Sequence, residues 1–309
     1  MRNAFSEALY ESATANPDIY VIVADISPAG SMMKFQEEYP ERFINVGVAE
    51  QVMTGMAAGL ALKGKQPFTY TIATFTLYRP FEMVRDDLCY QNMPVTIVGM
   101  GAGVVYSGLG GTHQTLEDVA VASAVPNMRV IAPCDPEELR DAVAYCATQR
   151  DGPVYLRIGK AGEPVFSDNA EEPWEFGKLR YLKRGEDVCV LTYGPITKRA
   201  FELAERLETE HGQSVSVVSA HTIKPLDDTG VREALHRHKQ VVVLEEHVPH
   251  GGLSSRVKEI AWDSKALCGL HSFTLGDRFR HFYGTYDELL DENGLSVERM
   301  FAIMSAELA

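Results

Sequence analysis

Two series of short apolar runs, each alternating with amphipathic segments, constrain what this chain can fold into. Residues 19–24 open the first series and residues 188–193 open the second, and both runs are apolar almost throughout. Runs of this kind are typical of strands buried on both faces of a parallel sheet. Strands that alternate with helices build mainly parallel sheets with helices packed on each face. The sequence therefore predicts an α/β chain of two three-layer domains with mainly parallel sheets.

The predicted elements divide at a segment of low periodicity. Strands are predicted over 19–24, 42–46, 66–72, 94–99, 128–133 and 153–158, and then over 188–193, 215–219, 240–244 and 270–275. Residues 164–185 contain prolines, glycines and an acidic pair, which are typical of a linker. Because 309 residues are too many for one ordinary core, we predict a first domain at 1–163, a linker at 164–185 and a second domain at 186–309.

Net charge, apolar patterning and cysteine usage limit the partners and the cellular location that we expect. The net charge of −14 argues against nucleic acid or an anionic membrane as a partner, because both need a positively charged surface. No apolar stretch approaches the length of a membrane span, and the N-terminal residues lack a signal-peptide pattern. The five cysteines form no Cys-x-x-Cys pair, so we expect no disulfide framework and a reducing, cytoplasmic location.

Glu50 is the single carboxylate in an otherwise small and apolar stretch at 46–62. Apolar residues recur there at helical spacing, so we predict a helix buried on most sides. A carboxylate in the first turn of a buried helix is costly unless it has a partner or a chemical role. Compensation of the helix dipole is the simpler explanation, and the spacing by itself slightly favours it.

Other polar residues lie where predicted strands end. Asp25 follows the first strand, and Arg157 interrupts the last strand of the first series near its carboxyl end. His113 ends the glycine-rich loop 99–113, which lacks the spacing of a dinucleotide-binding fingerprint. Ligands of open α/β sheets bind outside the carboxyl ends of the strands. These residues are therefore candidates for a site, although a lone histidine is more often structural.

Three aromatic residues, Phe75, Tyr78 and Phe81, follow the predicted strand at 66–72. Core packing is the simpler explanation for aromatic side chains at this spacing. A flat ligand ring would use the same residues for stacking. The spacing leaves both interpretations open.

Several short segments, taken in their order along the chain, resemble the C-terminal half of transketolase-like, thiamine-diphosphate-dependent enzymes. The resemblance spans essentially the whole chain and implies a pyrimidine-binding domain followed by a transketolase C-terminal domain. Each segment is a weak signal by itself, and their common order makes the match specific. The segments are Val46-Gly-Val-Ala-Glu-Gln51, Ala73-Thr-Phe75, Gly111-Thr-His-Gln114, Pro126-Asn-Met128 with Ala132-Pro133, Gly152-Pro-Val-Tyr-Leu-Arg157, His221-Thr-Ile-Lys-Pro-Leu226, Glu245-Glu-His247 and Gly251-Gly-Leu-Ser254.

The resemblance also implies that half of the cofactor site lies elsewhere. Full-length relatives carry a preceding domain, whose Gly-Asp-Gly…Asn signature holds the cofactor's diphosphate and its metal. The sequence lacks that signature. We therefore expect one chain of a split enzyme, which binds thiamine diphosphate together with an N-terminal, diphosphate-binding partner subunit in an α2β2 heterotetramer. The partner would hold the divalent metal, Mg²⁺ or Ca²⁺, and no metal site is expected on this chain.

Site roles follow from the resemblance, residue by residue. Glu50 matches the glutamate that hydrogen-bonds N1′ of the aminopyrimidine ring and promotes proton loss from the thiazolium C2. Phe75 matches the aromatic residue that stacks on the pyrimidine, and Tyr78 and Phe81 would wall the same pocket. His113 matches a histidine that contacts the substrate and can donate or move a proton. Asp25 matches a position near the cofactor at the subunit interface, where a structural role is equally expected.

The implied reaction is transfer of a two-carbon ketol or acyl unit from a small-molecule donor to a carbonyl acceptor, but the substrate residues depart from those of sugar-phosphate transketolases. Leu109 stands where those enzymes carry an aspartate that recognises substrate hydroxyls. A phosphate-pocket histidine would fall near Gly101 and a serine near Ala29. Arg157 and Arg2 remain as cationic candidates for substrate binding. Because charged hydrogen bonds are worth roughly 1.5–3 kcal/mol each, we expect an acceptor that is not a standard sugar phosphate.

Two other functions remain open. The β subunit of a 2-oxo acid dehydrogenase shares the fold, although the segments at 111–113 and 221–226 favour the transketolase branch. An assay of 2-oxo acid decarboxylation with an artificial electron acceptor separates these two enzymes. A scaffold subunit with a degenerate site is the non-enzymatic alternative, and the presence of Glu50, Phe75 and His113 argues against it.

A cluster in the second domain, His247 and His250 beside Glu245 and Glu246, has residue types that bind metals. The resemblance places it in the non-catalytic domain. We therefore favour a structural role or a subunit contact for this cluster.

Overall fold

The computed structural model describes residues 1–26, 30–170, 172–279 and 281–308, so Ala29 lies outside the described residues. The strands are β1 (Ile19–Val23), β2 (Phe43–Asn45), β3 (Gln66–Ile72), β4 (Thr96–Met100), β5 (Arg129–Ile131), β6 (Val154–Ile158), β7 (Arg180–Lys183), β8 (Val188–Thr192), β9 (Val215–Ser219), β10 (Thr222–Lys224), β11 (Gln240–Leu244) and β12 (Gly269–Phe273). The α-helices are α1 (Arg2–Ala15), α2 (Ser31–Glu38), α3 (Glu50–Leu62), α4 (Ala73–Leu77), α5 (Phe81–Met83), α6 (Asp118–Ala124), α7 (Pro136–Thr148), α8 (Thr197–His211), α9 (Asp228–Arg237), α10 (Leu253–Ser264), α11 (Tyr286–Glu292) and α12 (Val297–Leu308). Within these described ranges, every helix is too short or too polar to span a membrane.

The first sheet has the strand order β10-β5-β6-β4-β3-β1-β2. Strands β1 to β6 pair in parallel, so their carboxyl ends lie along one edge. Alternate residues face opposite layers: Val21 and Val98 belong to the buried cluster that includes α1 and α7, and Ile22 and Ile97 to the cluster that includes α3 and α6. The predicted α/β class with mainly parallel sheets is confirmed.

The second sheet has the order β12-β11-β8-β9-β7. Its strands β8, β9, β11 and β12 pair in parallel, whereas β7 pairs antiparallel with β9 at the edge. Strand β7 lies within 164–185, the segment that the sequence predicts to be a linker. That segment therefore contributes an edge strand, with a register shift between Tyr181 and Lys183, because β9 supplies the hydrogen-bonding partner that its own pattern does not reveal.

Strand β10, from the second half of the chain, completes the sheet of the first half. This strand follows β9 along the chain but pairs antiparallel with β5 of the first sheet, with Thr222 opposite Ile131. One buried cluster also contains side chains from both sheets, including Val130 of β5 and Val218 of β9. The two sheets are therefore joined by a shared strand pair and a shared core.

Helix α3 is buried on one face only. Met53 and Ala57 are fully buried, whereas Val52 and Met56 are 55% and 36% exposed. The expectation of a helix buried on most sides is wrong for the chain by itself, because the first sheet covers one side of it. The buried face nevertheless fixes the first turn of the helix against the sheet.

Candidate active site

Glu50 begins α3 at the carboxyl edge of the first sheet, a few residues after β2. The residue is nearly buried, with 3% of its surface exposed. Arg79 Nη1 donates a hydrogen bond of 2.7 Å to Glu50 Oε1. A buried carboxylate is costly without a cation or hydrogen-bond donors. The ion pair with Arg79 therefore compensates for the burial of Glu50.

Arg79 is not among the residues that the sequence predicts for the site. It lies on the turn between α4 and α5, and 44% of its side chain is exposed. Its guanidinium lies over the ring of Phe75, with Cζ 4.1 Å from the ring centroid. The sequence signal that points to Arg79 is a cationic residue next to Pro80, shortly after the predicted stacking residue Phe75. Arg79 thus links Glu50 to Phe75.

His113 closes a tight turn in which its backbone N–H donates to Gly110 O at 2.9 Å. Its ring is edge-on to that of Phe75, with centroids 5.1 Å apart and an interplanar angle of 70°. Nδ1 lies 2.9 Å from Thr112 Oγ1. Burial, together with the positive charge of Arg79, lowers the pKa of His113. Its imidazole is therefore biased towards the neutral form, which can accept or donate a proton.

Tyr78 follows α4, Phe81 begins α5 and Asp25 follows β1. Tyr78 and Phe81 pack against the buried cluster that the two halves share. Burial, followed by the negative charge of Asp118, raises the pKa of the Tyr78 hydroxyl. Asp25 is exposed after β1, and its backbone N–H donates to Asn45 Oδ1 at 3.3 Å. Contact of these three residues with a cofactor stays a prediction.

Tyr106 fills the space next to the position predicted for a phosphate-pocket histidine. Gly101 has a φ of +69°, and a Cβ there would lie 2.2 Å from Cε2 of Tyr106, so glycine is required. Lys160 Nζ lies 5.0 Å from the centroid of the Tyr106 ring. Arg2 donates its backbone N–H to Lys160 O at 3.1 Å, and its Nε is buried without a hydrogen-bond partner. Two cationic residues and the exposed Leu109 therefore surround Tyr106, whose ring centroid lies 6.1 Å from that of the site histidine.

Arg157 does not face the surface of the site. Its Nε donates to Asp118 Oδ2 at 2.9 Å and its Nη2 donates to Glu246 O at 3.1 Å, and the guanidinium is fully buried. Asp118 begins α6 in the first half, and Glu246 follows β11 in the second. The guanidinium thus joins the two halves, a different role from the predicted binding of a substrate anion. Lys160, three residues further along, is an exposed cation at this edge.

The histidines of the second half make structural contacts. His247 Nε2 accepts a hydrogen bond of 3.2 Å from Ala120 N, and Nδ1 lies 2.7 Å from Val248 O. His250 is exposed and lies 3.4 Å from Asp277. Within the described part of the chain, no group of three or more His, Cys, Asp or Glu side chains is arranged to hold a metal ion. The contact with Ala120 places His247 at the junction of the two halves.

Two family models match the chain over most of its length. The transketolase pyrimidine binding domain matches residues 1–162, and the transketolase C-terminal domain matches residues 177–300. The chain belongs to the transketolase family. The transketolase resemblance predicted from the short sequence segments is thereby confirmed.

Some relatives in the transketolase family are about as long as this chain, and others are about twice as long. A putative transketolase C-terminal section from Methanocaldococcus jannaschii is 36% identical over 96% of this chain and 93% of its own length. One of the subunits of an apulose-4-phosphate transketolase, from Phocaeicola vulgatus, is 33% identical over 84% of this chain and 82% of its own. A structure described as a split gene transketolase, inactive beta4 tetramer, is 35% identical, with a TM-score of 0.87 over 99% of this chain and 97% of its own. The transketolase of Campylobacter jejuni, at 19% identity and a TM-score of 0.77, shares the fold, and this chain covers 46% of it.

Transketolase-family membership implies thiamine diphosphate, and the contacts of Arg79 test whether the site fits its aminopyrimidine ring. That ring is planar, has a nitrogen, N1′, that can share a proton with a carboxylate, and can stack on an aromatic side chain. The guanidinium of Arg79 is also planar, donates to Glu50 and lies over Phe75. The same two contacts are therefore available to the ring, and the residues present fit it.

Proposed function

We propose that this chain is the pyrimidine-binding subunit of a split, thiamine-diphosphate-dependent, transketolase-like transferase. An N-terminal subunit would complete the site in an α2β2 assembly and hold the cofactor's diphosphate with Mg²⁺ or Ca²⁺. The observation that carries the proposal is the grouping of Glu50, Phe75 and His113 around Arg79. Relatives named as a transketolase C-terminal section and as one of the subunits of a transketolase support the division into two chains.

The residues of the cluster divide the chemistry between them. When bound, thiamine diphosphate supplies the carbon nucleophile for a two-carbon ketol or acyl transfer. Glu50 would hold and exchange a proton at N1′ of the pyrimidine, and its burial excludes water from that contact. Phe75 would orient the ring by stacking. His113 would donate a hydrogen bond to the substrate oxygen or take its proton.

The surroundings of Tyr106 support an acceptor other than a standard sugar phosphate. Tyr106 occupies the space next to Gly101 and therefore leaves no room for a histidine there. Leu109 offers an exposed apolar side chain in the same loop. The acceptor would be a non-phosphorylated, more apolar or differently charged carbonyl compound. Since one relative is named for apulose 4-phosphate, phosphorylated aldehydes belong in the test.

Substitution of Glu50 tests the proposal. The chain is mixed with its N-terminal partner, thiamine diphosphate and Mg²⁺, and supplied with hydroxypyruvate, from which ketol transfer releases CO₂. We expect Glu50→Gln to abolish CO₂ release and product formation, because the amide cannot exchange the proton. Glu82→Gln, at an exposed position in α5, is the matched control and should retain activity. Near-normal turnover by Glu50→Gln would remove Glu50 from the mechanism.

A panel of substrates separates the remaining alternatives. Phosphorylated and non-phosphorylated aldehydes are compared as acceptors by kcat/KM, and the proposal predicts preference for the latter. Decarboxylation of 2-oxo acids coupled to an artificial electron acceptor would instead indicate a dehydrogenase β subunit. Failure of the mixed subunits to bind thiamine diphosphate would make the scaffold hypothesis the better one.

A further inference from the structure

In the separate chain, Arg79 already makes both contacts that a pyrimidine ring would need. Its Nη1 lies 2.7 Å from Glu50 Oε1. Its Cζ lies 4.1 Å from the centroid of the Phe75 ring. A ring that is bound by Glu50 through a nitrogen and stacked on Phe75 would compete for this same volume. The guanidinium therefore occupies the place where the ring would bind.

Contacts with Glu50 and Phe75 stabilise Arg79 in that place, and its position on a turn allows the side chain to move away. Only 4% of the Glu50 side chain is exposed, compared with 44% of the Arg79 side chain. The buried carboxylate needs a compensating charge, and the guanidinium gains a second contact from the aromatic face of Phe75. Arg79 lies on the turn at 78–80, outside α4 and α5. Its side chain can therefore swing towards solvent without breaking either helix.

We propose that Arg79 closes the pyrimidine site of the separate chain and is displaced when the cofactor ring binds. The inference rests on the proposed function, since that function supplies the competing ring. Arg79 acts as a gate and not as a catalytic residue: it compensates Glu50 until a proton shared with N1′ of the ring takes over that role. The unpartnered subunit is thereby kept with an occupied and inert site.

Displacement of Arg79 also changes the charge near His113. The positive charge of Arg79 adds to the effect of burial in lowering the pKa of His113. When the guanidinium moves outward, that part of the effect is lost and His113 binds a proton more readily. The gate therefore couples occupation of the pyrimidine site to the proton affinity of the histidine.

Calorimetric titration with thiamine diphosphate and Mg²⁺ tests the gate in the chain mixed with its N-terminal partner. Arg79→Ala and Arg79→Met remove the guanidinium, and methionine keeps an unbranched side chain on the turn. We expect both variants to bind the cofactor about fivefold tighter than the wild type, because a half-exposed ion pair no longer has to be broken. Arg85→Ala is the matched control, since Arg85 pairs with Asp86, and its affinity should match that of the wild type.

Titration of His113 by NMR in the separate chain gives a second measurement that does not depend on activity. The pKa of His113 should rise in Arg79→Ala and stay at the wild-type value in Arg85→Ala. Unchanged His113 titration, or unchanged or weaker cofactor binding by both Arg79 variants, would overturn the inference. Cofactor binding by the Arg79 variants when the wild type shows none would support it. Absence of binding in every mixture would overturn the proposed function and the gate together, so the two failures give different results.

Discussion

Glu246 is a buried carboxyl whose titration should be visible in the stability of the whole chain. Its Oε1 accepts a hydrogen bond from Val104 N at 2.5 Å, and its Oε2 accepts one from Tyr286 OH at 2.9 Å. Burial raises the pKa of Glu246 to about 7, although the charge of Arg157 acts in the opposite direction. The folded chain therefore keeps a proton here at pH values where the unfolded chain has lost it.

Glu246→Gln should remove a pH dependence of the free energy of unfolding. From the usual glutamate range up to a pH of about 7, the folded state binds more protons at this group, so its contribution to stability falls as pH rises. A shift of this size corresponds to on the order of 3 kcal/mol. We expect the unfolding free energy of the wild type minus that of the variant, measured in urea, to fall across this window and level off above it.

The difference in unfolding free energy between the wild type and the variant separates the titration of Glu246 from that of other groups. Burial lowers the pKa of His221 to about 3, which makes stability fall as pH drops from the usual histidine range. His221 is present in both proteins and cancels in the difference. A difference that stays constant or rises with pH would contradict the assignment.

At the residue scale, the sequence points to candidate ligand-binding positions more readily than to contacts between side chains that are distant along the chain. Glu50 and His113 stand out because they follow predicted strands at the carboxyl edge of a sheet. Arg79 does not, because its contact with Glu50 spans 29 residues of chain. Arg157 is a candidate for substrate binding in the sequence, but the structure pairs it with Asp118, which is 39 residues away along the chain. An arginine at a strand end looks the same in sequence whether it faces solvent or a buried carboxylate.

At the element scale, the turn that carries His113 is braced by the segment before α11. Gly110 has a φ of +76°, and a Cβ there would lie 2.9 Å from Cε1 of Tyr283. A Cβ on Gly111 would lie 3.8 Å from Cδ1 of Phe279. Both aromatic residues belong to the second half of the chain. The position of His113 therefore depends on elements from both halves.

Gly110→Ala should move His113 without unfolding the chain. The left-handed backbone costs an alanine roughly 1–2 kcal/mol, and Tyr283 has to give way. We expect kcat/KM of the reconstituted enzyme to fall about tenfold or more, since a displacement of about 1 Å can cost a hundredfold. Gly108→Ala is the control, because a Cβ there meets nothing within 4 Å. Equal activity of the two variants would mean that this turn does not position the histidine.

Element prediction succeeded where a strand is long and buried on both faces. Strands β3 and β9 have the bounds that the sequence predicts. Strands β7 and β10 were missed because they are four and three residues long and pair antiparallel at sheet edges. Such strands form when tertiary contacts supply a partner. The exposed face of α3 was missed for a related reason: apolar spacing does not show what covers a helix.

At the scale of the whole molecule, Arg157 lies at the junction of the two halves, where it pairs with Asp118 of the first half and donates to Glu246 O of the second. Arg157→Met should lower the free energy of unfolding by about 3–5 kcal/mol, because it leaves a buried carboxylate without its cation. Urea unfolding measures the change. Arg150→Met is the control, since Arg150 makes an exposed 3.9 Å pair with Asp18, and should cost less than about 1 kcal/mol.

The double variant Arg157→Met/Asp118→Asn separates loss of the pair from loss of packing. It removes both charges and should recover part of the stability lost in Arg157→Met. A single variant no less stable than the Arg150→Met control would show that the stability of the chain does not depend on this pair.

The position of β10 has a consequence for how such a chain can be inherited. A break within 164–185 would leave residues 1–163 with β5 as an open sheet edge, which is a template for aggregation. The other fragment would carry β10 as a strand with no sheet to join. Recombination at this point should therefore be selected against, and the two halves should pass between genomes as one heritable unit.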